Sequence, residues 1–342
     1  MPVDKLHYWW YTVFAATAAI GLMLNSFIVL SNAPYVKKLP PSSFLIFWLC
    51  TFDTLAILNN IIEPIHMLAH NTSEYNSLIC QIHGAFAVTF NISSLQLCFG
   101  LTLFRYLVIV HQIQVPRVFP AVYTCYVTLI SLVVGLLPFM LSSQRFTYDF
   151  GASNLYCAPD WTQQDTGSML VTWLCFSIAV GTLLLLVYAY GAIFIVSARV
   201  VKEFQKSLDG AGVDNTVQLN PCAVSASNLN RSRSNSPSKT AAVVMNVSAG
   251  ADAQKRAELD AQQSELMKQS LIMVTAFLLG WSPYLIMGIY EFFTQTQVSP
   301  EFDFFASMSI TIYDVINPVI VYIYDREIRR LCRRALSAMF GS

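Results

Sequence analysis

Seven long apolar segments set the hydrophobic pattern of this chain. They cover about residues 8–31, 42–66, 80–110, 119–142, 168–198, 266–293 and 302–324. A helix needs about 20 mostly apolar residues to cross a lipid bilayer, and each segment reaches that length. The pattern therefore predicts an all-α membrane protein built as a seven-transmembrane helix bundle.

A polar stretch separates the fifth and sixth segments. Residues 201–264 are rich in Ser, Asn, Ala, Asp and Gln without apolar periodicity, which predicts a disordered loop. Within it, "NRSRSNSPSK" (230–239) alternates serines with basic residues and is either a solvated linker or a phosphorylated regulatory segment. We therefore divide the chain into 1–200 with five spans, the loop, 265–324 with two spans, and a tail at 325–342.

The tail has the period of an amphipathic helix. In "REIRRLCRRALSAMF" (326–340), Ile328, Leu331 and Cys332 share one face and arginines occupy the other. This predicts a short eighth helix along the inner membrane surface, held there by membrane lipid. Cys332 on the apolar face is a candidate for palmitoylation.

The distribution of charge predicts an orientation. The formal net charge is zero and mean hydropathy is +0.52, so no overall field attracts nucleic acid. Of 20 Lys and Arg, only Lys5 and Arg145 fall on the N-terminal side of the membrane, which predicts a plasma-membrane protein with its N-terminus outside. On that outer side Asn71 begins a glycosylation sequon. Cys80 and Cys157 also lie there, and an oxidising compartment predicts a disulfide between them.

Five polar residues fall near mid-membrane on spans one, two, three and seven, where they are costly to bury. They are Asn25, Asp53, Ser94, Asp314 and Asn317. Two carboxylates in one pocket, with no Lys or Arg buried beside them, predict a cation or proton site, such as a sodium ion at Asp53 and Asp314. The alternative is a hydrated hydrogen-bond network that only fixes helix packing.

Other polar and aromatic side chains fall in the outer halves of spans two, three and six, where they predict a ligand cleft. They are Glu63, His66, His83, Asn91, Trp281, Tyr284, Tyr290 and Glu291. At the opposite end, Arg105 lies 25 residues after Cys80, about 37 Å along a helix. It therefore meets the cytoplasm, either as an interfacial anchor or as a docking point for a partner. The sequence contains no HExxH, GxSxG or phosphate-loop motif, which argues against an enzyme.

The sequence resembles the rhodopsin-like, class A, G-protein-coupled receptors over all seven spans and the final helix. The resemblance is carried by Asn25, Asp53, the Cys80 and Cys157 pair, Arg105-Tyr106, "GWSPY" (280–284) and "NPVIVY" (317–322). Within that family the nearest likeness is to opsins. It rests on "CQIHGAF" (80–86), "CAPDWTQQD" (157–165) and "IMVTAFLLGWSPY" (272–284).

The likeness to opsins fails at one decisive position. Thr311 stands where opsins carry the Schiff-base lysine, and the seventh span contains no lysine. Because a Schiff base requires a primary amine, covalent retinal at that site is excluded. His83 stands where vertebrate visual pigments carry the counterion, and Ala87 stands where amine receptors carry their binding aspartate. The resemblance thus implies a pocket for a non-covalent retinoid or another ligand.

The resemblance also implies a route for the signal. Arg105 and Tyr106 would contact a heterotrimeric G protein, and arrestin and receptor kinases would use the third cytoplasmic loop. Trp281 would sense the ligand, and the switch residues would be Pro283, Asn317, Pro318 and Tyr322. Phe104 replaces the acid that restrains the family's arginine, and Gln263 replaces a frequent sixth-span glutamate, which implies raised basal activity.

Three rival functions remain open at this stage. A class A receptor for a peptide or other non-retinoid chemical would recognise it through Glu63, His66 and Glu291. A proton or cation transporter would use Asp53 and Asp314. The third rival is a membrane scaffold that does not signal.

Overall fold

The computed structural model of the chain describes residues 5–70, 77–113, 115–116, 118–140, 148–162, 166–211, 268 and 271–341. The helices are α1 Lys5–Asn32, α2 Pro41–His70, α3 Ser77–Ile109, α4 Phe119–Met140, α5 Thr166–Ala211, α6 Leu271–Thr294, α7 Pro300–Tyr324 and α8 Arg326–Phe340. Seven of them are long and apolar enough to cross a membrane. The predicted bundle with an eighth helix is confirmed.

The chain divides into two compact units, Met1–Ile193 with Lys268–Ser342, and Phe194–Met267. In the second, α5 continues as a helix to Ala211, so the sequence prediction of a disordered loop from residue 201 began too early. Asn71 and most of that loop, including 230–239, lie outside the described residues.

A short β-hairpin closes one end of the bundle. Strands β1 Tyr148–Phe150 and β2 Cys157–Pro159 pair antiparallel, with Phe150 opposite Cys157. The predicted disulfide joins Cys157 to Cys80 at the start of α3 and is confirmed. We call this end the hairpin end, and the opposite one, where α7 meets α8, the α8 end.

The helix α8 turns away from α7 at Asp325. The Asp325 side chain accepts hydrogen bonds from the backbone N–H groups of Glu327 and Ile328, which caps the new helix. Cys332 is fully buried, and its Sγ lies 3.7 Å from Asn32 Nδ2 at the end of α1. The apolar face of α8 thus packs on the bundle at this position. Cys332, the candidate for palmitoylation, is therefore covered by the end of α1 in this packing, and its acylation stays a prediction.

Two glycines allow α3 and α4 to pack unusually closely. A Cβ atom on Gly135 of α4 would overlap Thr89 Oγ1 of α3, and one on Gly100 of α3 would overlap the ring of Tyr123 of α4. The Tyr123 hydroxyl also donates to the Gln96 backbone oxygen at 2.7 Å. Since any larger residue needs the helices to separate, these glycines fix the spacing of the pair.

Candidate functional site

A buried polar cluster joins four helices in the middle of the bundle. Asp53 of α2 accepts hydrogen bonds through both carboxylate oxygens, from Ser94 Oγ of α3 at 2.5 Å and from Asn317 Nδ2 of α7 at 2.6 Å. Asn25 Nδ2 of α1 donates to the Asp314 backbone oxygen at 2.9 Å. The structure therefore brings together all five residues that the sequence singled out at mid-membrane.

The cluster has the donor set for a small cation. The carboxylates of Asp53 and Asp314 are close enough to interact electrostatically, and both residues are buried. Within the described residues, Asn25 Oδ1 and Asn317 Oδ1 are buried without a hydrogen-bond partner. These oxygens are hard ligands of the kind that a sodium ion or a hydrating water prefers. The described residues hold no group of three or more His, Cys, Asp or Glu suited to a transition metal.

An apolar cavity of about 80 Å³, here called cavity A, lies between this cluster and the hairpin. Its walls come from α3, α5, α6 and the segment after β2. They are Val88, Asn91, Ile92, Leu95, Trp161, Cys175, Phe176, Ile178, Ala179, Trp281, Tyr284, Leu285 and Gly288. Four of these side chains are aromatic and none is charged. Cavity A is therefore suited to a neutral ligand.

A second cavity of about 50 Å³, cavity B, adjoins the first and shares Val88, Asn91 and Tyr284 with it. Ala87 and Thr311 line cavity B, as does the disulfide residue Cys157. The five sequence-predicted pocket residues Ala87, Asn91, Trp281, Tyr284 and Thr311 are thus in the walls of A, of B or of both. At the position of the opsin lysine, Thr311 Oγ1 donates to Ser307 O, one turn back in α7.

The structure places Glu63 and His83 elsewhere. Neither is in the walls of cavity A or cavity B, which corrects the expectation that they contact a ligand there. The Glu63 carboxyl accepts a hydrogen bond from the Cys157 backbone N–H, and its Oε1 lies 3.6 Å from His83 Nδ1. The Glu63 carboxyl thus supports the hairpin, whereas His83 Nδ1 also lies 3.3 Å from the Asn59 backbone oxygen of α2.

A carboxylate that the sequence analysis did not select holds the hairpin to α7. Asp303 is only 1% exposed, and its Oδ2 accepts from Ser153 N at 2.7 Å and from Ser153 Oγ at 2.8 Å. Its Oδ1 accepts from the Tyr156 hydroxyl at 2.5 Å. Burying a carboxylate is favourable only when hydrogen-bond donors such as these three are present. Together with the disulfide and Glu63, Asp303 keeps the hairpin fixed over the cavities.

The comparisons with known proteins agree with this architecture. The sequence matches the family of 7 transmembrane receptors (rhodopsin family) over residues 24–322. The chain belongs to the rhodopsin family of receptors. It is therefore a receptor and not an enzyme. The crystal structure of squid rhodopsin superposes with a TM-score of 0.73 at 16% identity, covering 100% of this chain and 87% of that one. No curated protein matches the sequence significantly.

Aromatic contacts connect cavity A of this receptor to α7. Trp281 stacks on Phe277 with ring centroids 5.8 Å apart, and Phe277 meets Tyr313 edge to face at 5.6 Å. These three rings lie in one buried cluster with Ile310. Trp281 and Pro283 were predicted from the sequence, whereas Phe277 and Tyr313 were missed because only the packing shows that they touch.

At the α8 end, Arg105 is 3% exposed, so it lies within the receptor bundle and does not extend to the surface as an anchor. The charge of Arg105 acts on Asp325, whose carboxyl also accepts from Ser43 Oγ at 3.0 Å. Burial raises the pKa of Asp325, while the hydrogen bonds from Ile328 N–H and Ser43 and the charge of Arg105 oppose that rise. The acidic side chain of Asp325, at the α7–α8 junction, thus lies within electrostatic range of Arg105, whose sequence neighbour is Phe104.

The remaining switch residues take distinct positions. Asn317 belongs to the polar cluster, and Val321, the residue before Tyr322, is completely buried. Tyr322, one residue on, is only partly buried at the margin of the apolar core. The ring of Tyr106 lies 5.0 Å from that of His111, outside the core.

Proposed function

We propose that this receptor binds a neutral, largely apolar ligand in cavity A and signals to a heterotrimeric G protein at the α8 end. The observation that carries the proposal is the uncharged aromatic wall of cavity A, which includes Trp281 and continues through Phe277 to Tyr313 on α7. A ligand that favours one arrangement of these rings shifts the receptor between states. A charged ligand would lose its hydration in cavity A without gaining an ionic partner.

A non-covalent retinoid is the first ligand to test, because of the opsin likeness. The receptor is purified with 11-cis or all-trans retinal, and retinal content and the absorption spectrum are recorded before and after acid denaturation. We expect retinal to co-purify and to be released free, because Thr311 cannot form a Schiff base. If neither retinal isomer is retained, retinal is excluded as the ligand, and other neutral ligands remain to be tested.

A matched pair of glycine variants locates the binding. A Cβ atom on Gly288 would lie 3.3 Å from the Phe176 ring, so Gly288→Leu fills cavity A, while the space beside Gly181 on α5 is open. We expect Gly288→Leu to lose the bound retinal and Gly181→Leu to keep it. Equal retention by the two variants would contradict binding in cavity A.

The second candidate ligand class is a peptide recognised by Glu63, His66 and Glu291. The structure favours it less, because Glu63 accepts from Cys157 N–H and Glu291 Oε1 accepts from Val298 N at 3.1 Å. These carboxylates already have structural partners near the hairpin. A peptide ligand would have to displace them.

A sodium ion at Asp53 and Asp314 is also part of the proposal. Its support is the donor set of the polar cluster. We expect sodium to lower basal nucleotide exchange on a reconstituted G protein and Asp314→Asn to weaken that effect. Sodium or proton flux in receptor liposomes would instead favour the transporter. If no condition produced G-protein activation, the remaining hypothesis would be a membrane scaffold that does not signal.

The orientation completes the proposal. We place the hairpin end outside the plasma membrane and the α8 end in the cytoplasm, as the distribution of Lys and Arg predicts. Antibody staining of an N-terminal tag on intact cells tests it. Staining that appears only after permeabilisation would show that the N-terminus is in the cytoplasm and would contradict this orientation.

A further inference from the structure

A groove of about 750 Å³ lies at the α8 end, apart from cavities A and B. It runs between the 3₁₀ helix Ala33–Lys38, the start of α2 and the start of α4. We call it the inner groove. Its walls are Val36, Lys37, Lys38, Leu39, Pro40, Pro41, Phe44, Pro120 and Ala121. Asn32, immediately before this 3₁₀ helix, contacts Cys332 of α8, which fixes the level of the groove along the bundle.

The inner groove combines an apolar interior with two positive charges. Lys37 and Lys38 are both exposed, and its other walls are apolar side chains and prolines. No acidic side chain lies in these walls to pair with the two ammonium groups. Both lysines fall in the last turn of the 3₁₀ helix, where positive charges are stabilised by the free backbone carbonyl groups. That stabilisation explains the lysines but does not explain the apolar groove beside them. The combination matches an anionic group joined to hydrocarbon.

The surroundings place the groove at the membrane boundary. Val118 and Val122 beside it are each more than 60% exposed, as expected for side chains that face lipid. One helical turn from Phe44 toward the bundle centre lies Trp48, with ring centroids 6.4 Å apart. Tryptophan is enriched at the level of lipid headgroups. Lys37 and Lys38 therefore lie where phosphate groups of a bilayer are found.

We propose that the inner groove binds one anionic phospholipid, with its phosphate between Lys37 and Lys38 and an acyl chain against Phe44 and Ala121. A soluble phosphate ester has no hydrocarbon to fill the apolar part, so the lipid accounts for both halves of the groove. This site does not depend on the ligand of cavity A or on G-protein coupling.

Native mass spectrometry of the purified full-length receptor, titrated with phosphatidylserine or phosphatidylcholine, tests the proposal. We expect one phosphatidylserine to be retained at concentrations where phosphatidylcholine is lost. Removing both lysines (Lys37→Ala with Lys38→Ala) should weaken that binding about 30-fold, at about 1 kcal/mol for each cation near an anionic lipid. Lys37→Arg with Lys38→Arg should retain it.

Two further variants separate the groove from general surface charge. Arg333→Ala with Arg334→Ala removes the same charge from the exposed face of α8 and should leave the single tight lipid bound. Ala121→Trp fills the groove without changing charge and should displace that lipid. Equal loss in the α8 variant, or undiminished binding in Ala121→Trp, would overturn the proposal. Each variant is first checked for a monodisperse, helical receptor.

Discussion

The attachment of the hairpin to α7 can be tested through Asp303. Replacing Asp303 by Ala removes the acceptor for three donors, the Ser153 N–H, the Ser153 hydroxyl and the Tyr156 hydroxyl. Hydrogen bonds to a charged group contribute about 1.5–3 kcal/mol each. Water at the hairpin end and the remaining disulfide offset part of the loss. We therefore expect the free energy of local opening to fall by about 3 kcal/mol.

Hydrogen exchange measures this opening directly, because the Ser153 amide donates to Asp303 and Ser153 is fully buried. A fall of about 3 kcal/mol corresponds to roughly 100-fold faster exchange of that amide. Ser153→Ala, which removes only the hydroxyl donor, should destabilise the hairpin by about 1 kcal/mol, measured at the neighbouring amides.

Glu301→Ala is the matched control. Glu301 is an exposed carboxylate in the same first turn of α7, so its removal changes the charge at the helix start equally. We expect little change in Ser153 exchange in this variant. If Asp303→Ala exchanged no faster than Glu301→Ala, the three hydrogen bonds would not be holding the hairpin.

Three further outcomes are expected. Arg105→Ala should abolish nucleotide exchange on the G protein while surface expression persists, and Phe104→Asp should lower basal exchange by restoring an acid beside the arginine; unchanged signalling in either variant contradicts that role. Asp325→Asn keeps an N-cap residue for α8 but removes the charge that interacts with Arg105, so basal exchange should rise several-fold, whereas Ser43→Ala, which leaves that charge, should change it less. Burial raises the pKa of the Tyr156 phenol. The stabilisation from its protonated form is therefore complete below about pH 10 and is lost as the pH rises from there through the raised pKa. Thermal unfolding between pH 8 and 11 should show this loss, and Tyr156→Phe should reduce it; an identical pH profile for the variant would refute the assignment.

Much of the fold follows from the sequence because hydrophobicity over a span is a local property. The seven spans were predicted for that reason, and the Cys80–Cys157 disulfide was predicted because both cysteines fall on the outer, oxidising side of the membrane. The polar cluster also followed, because burying a carboxylate such as Asp53 requires partners at the same depth. Depth along a helix can be calculated from the rise per residue.

The residues that the sequence misplaced depend on helix rotation and on distant contacts. Glu63 and His83 were assigned to the pocket from depth alone, but the Glu63 carboxyl accepts from Cys157 N–H of the hairpin, and His83 lies against Glu63 and Asn59. Asp303 was missed because its donors, Ser153 and Tyr156, are about 150 residues away in the chain. For Cys332, periodicity predicted the apolar face correctly, but it could not show that α1 covers that face in place of lipid.

The close packing of α3 against α4 at Gly100 and Gly135 has a consequence for how motion in this receptor can be observed. With a ring and a hydroxyl filling the space where side chains would otherwise stand, neither helix can rotate or slide without the other. The pair therefore acts as one rigid unit, relative to which the other helices can be displaced. Spectroscopic labels placed one on α3 and one on α4 should report the same separation in every state. That constant distance is an internal reference for distances measured from either helix to α6.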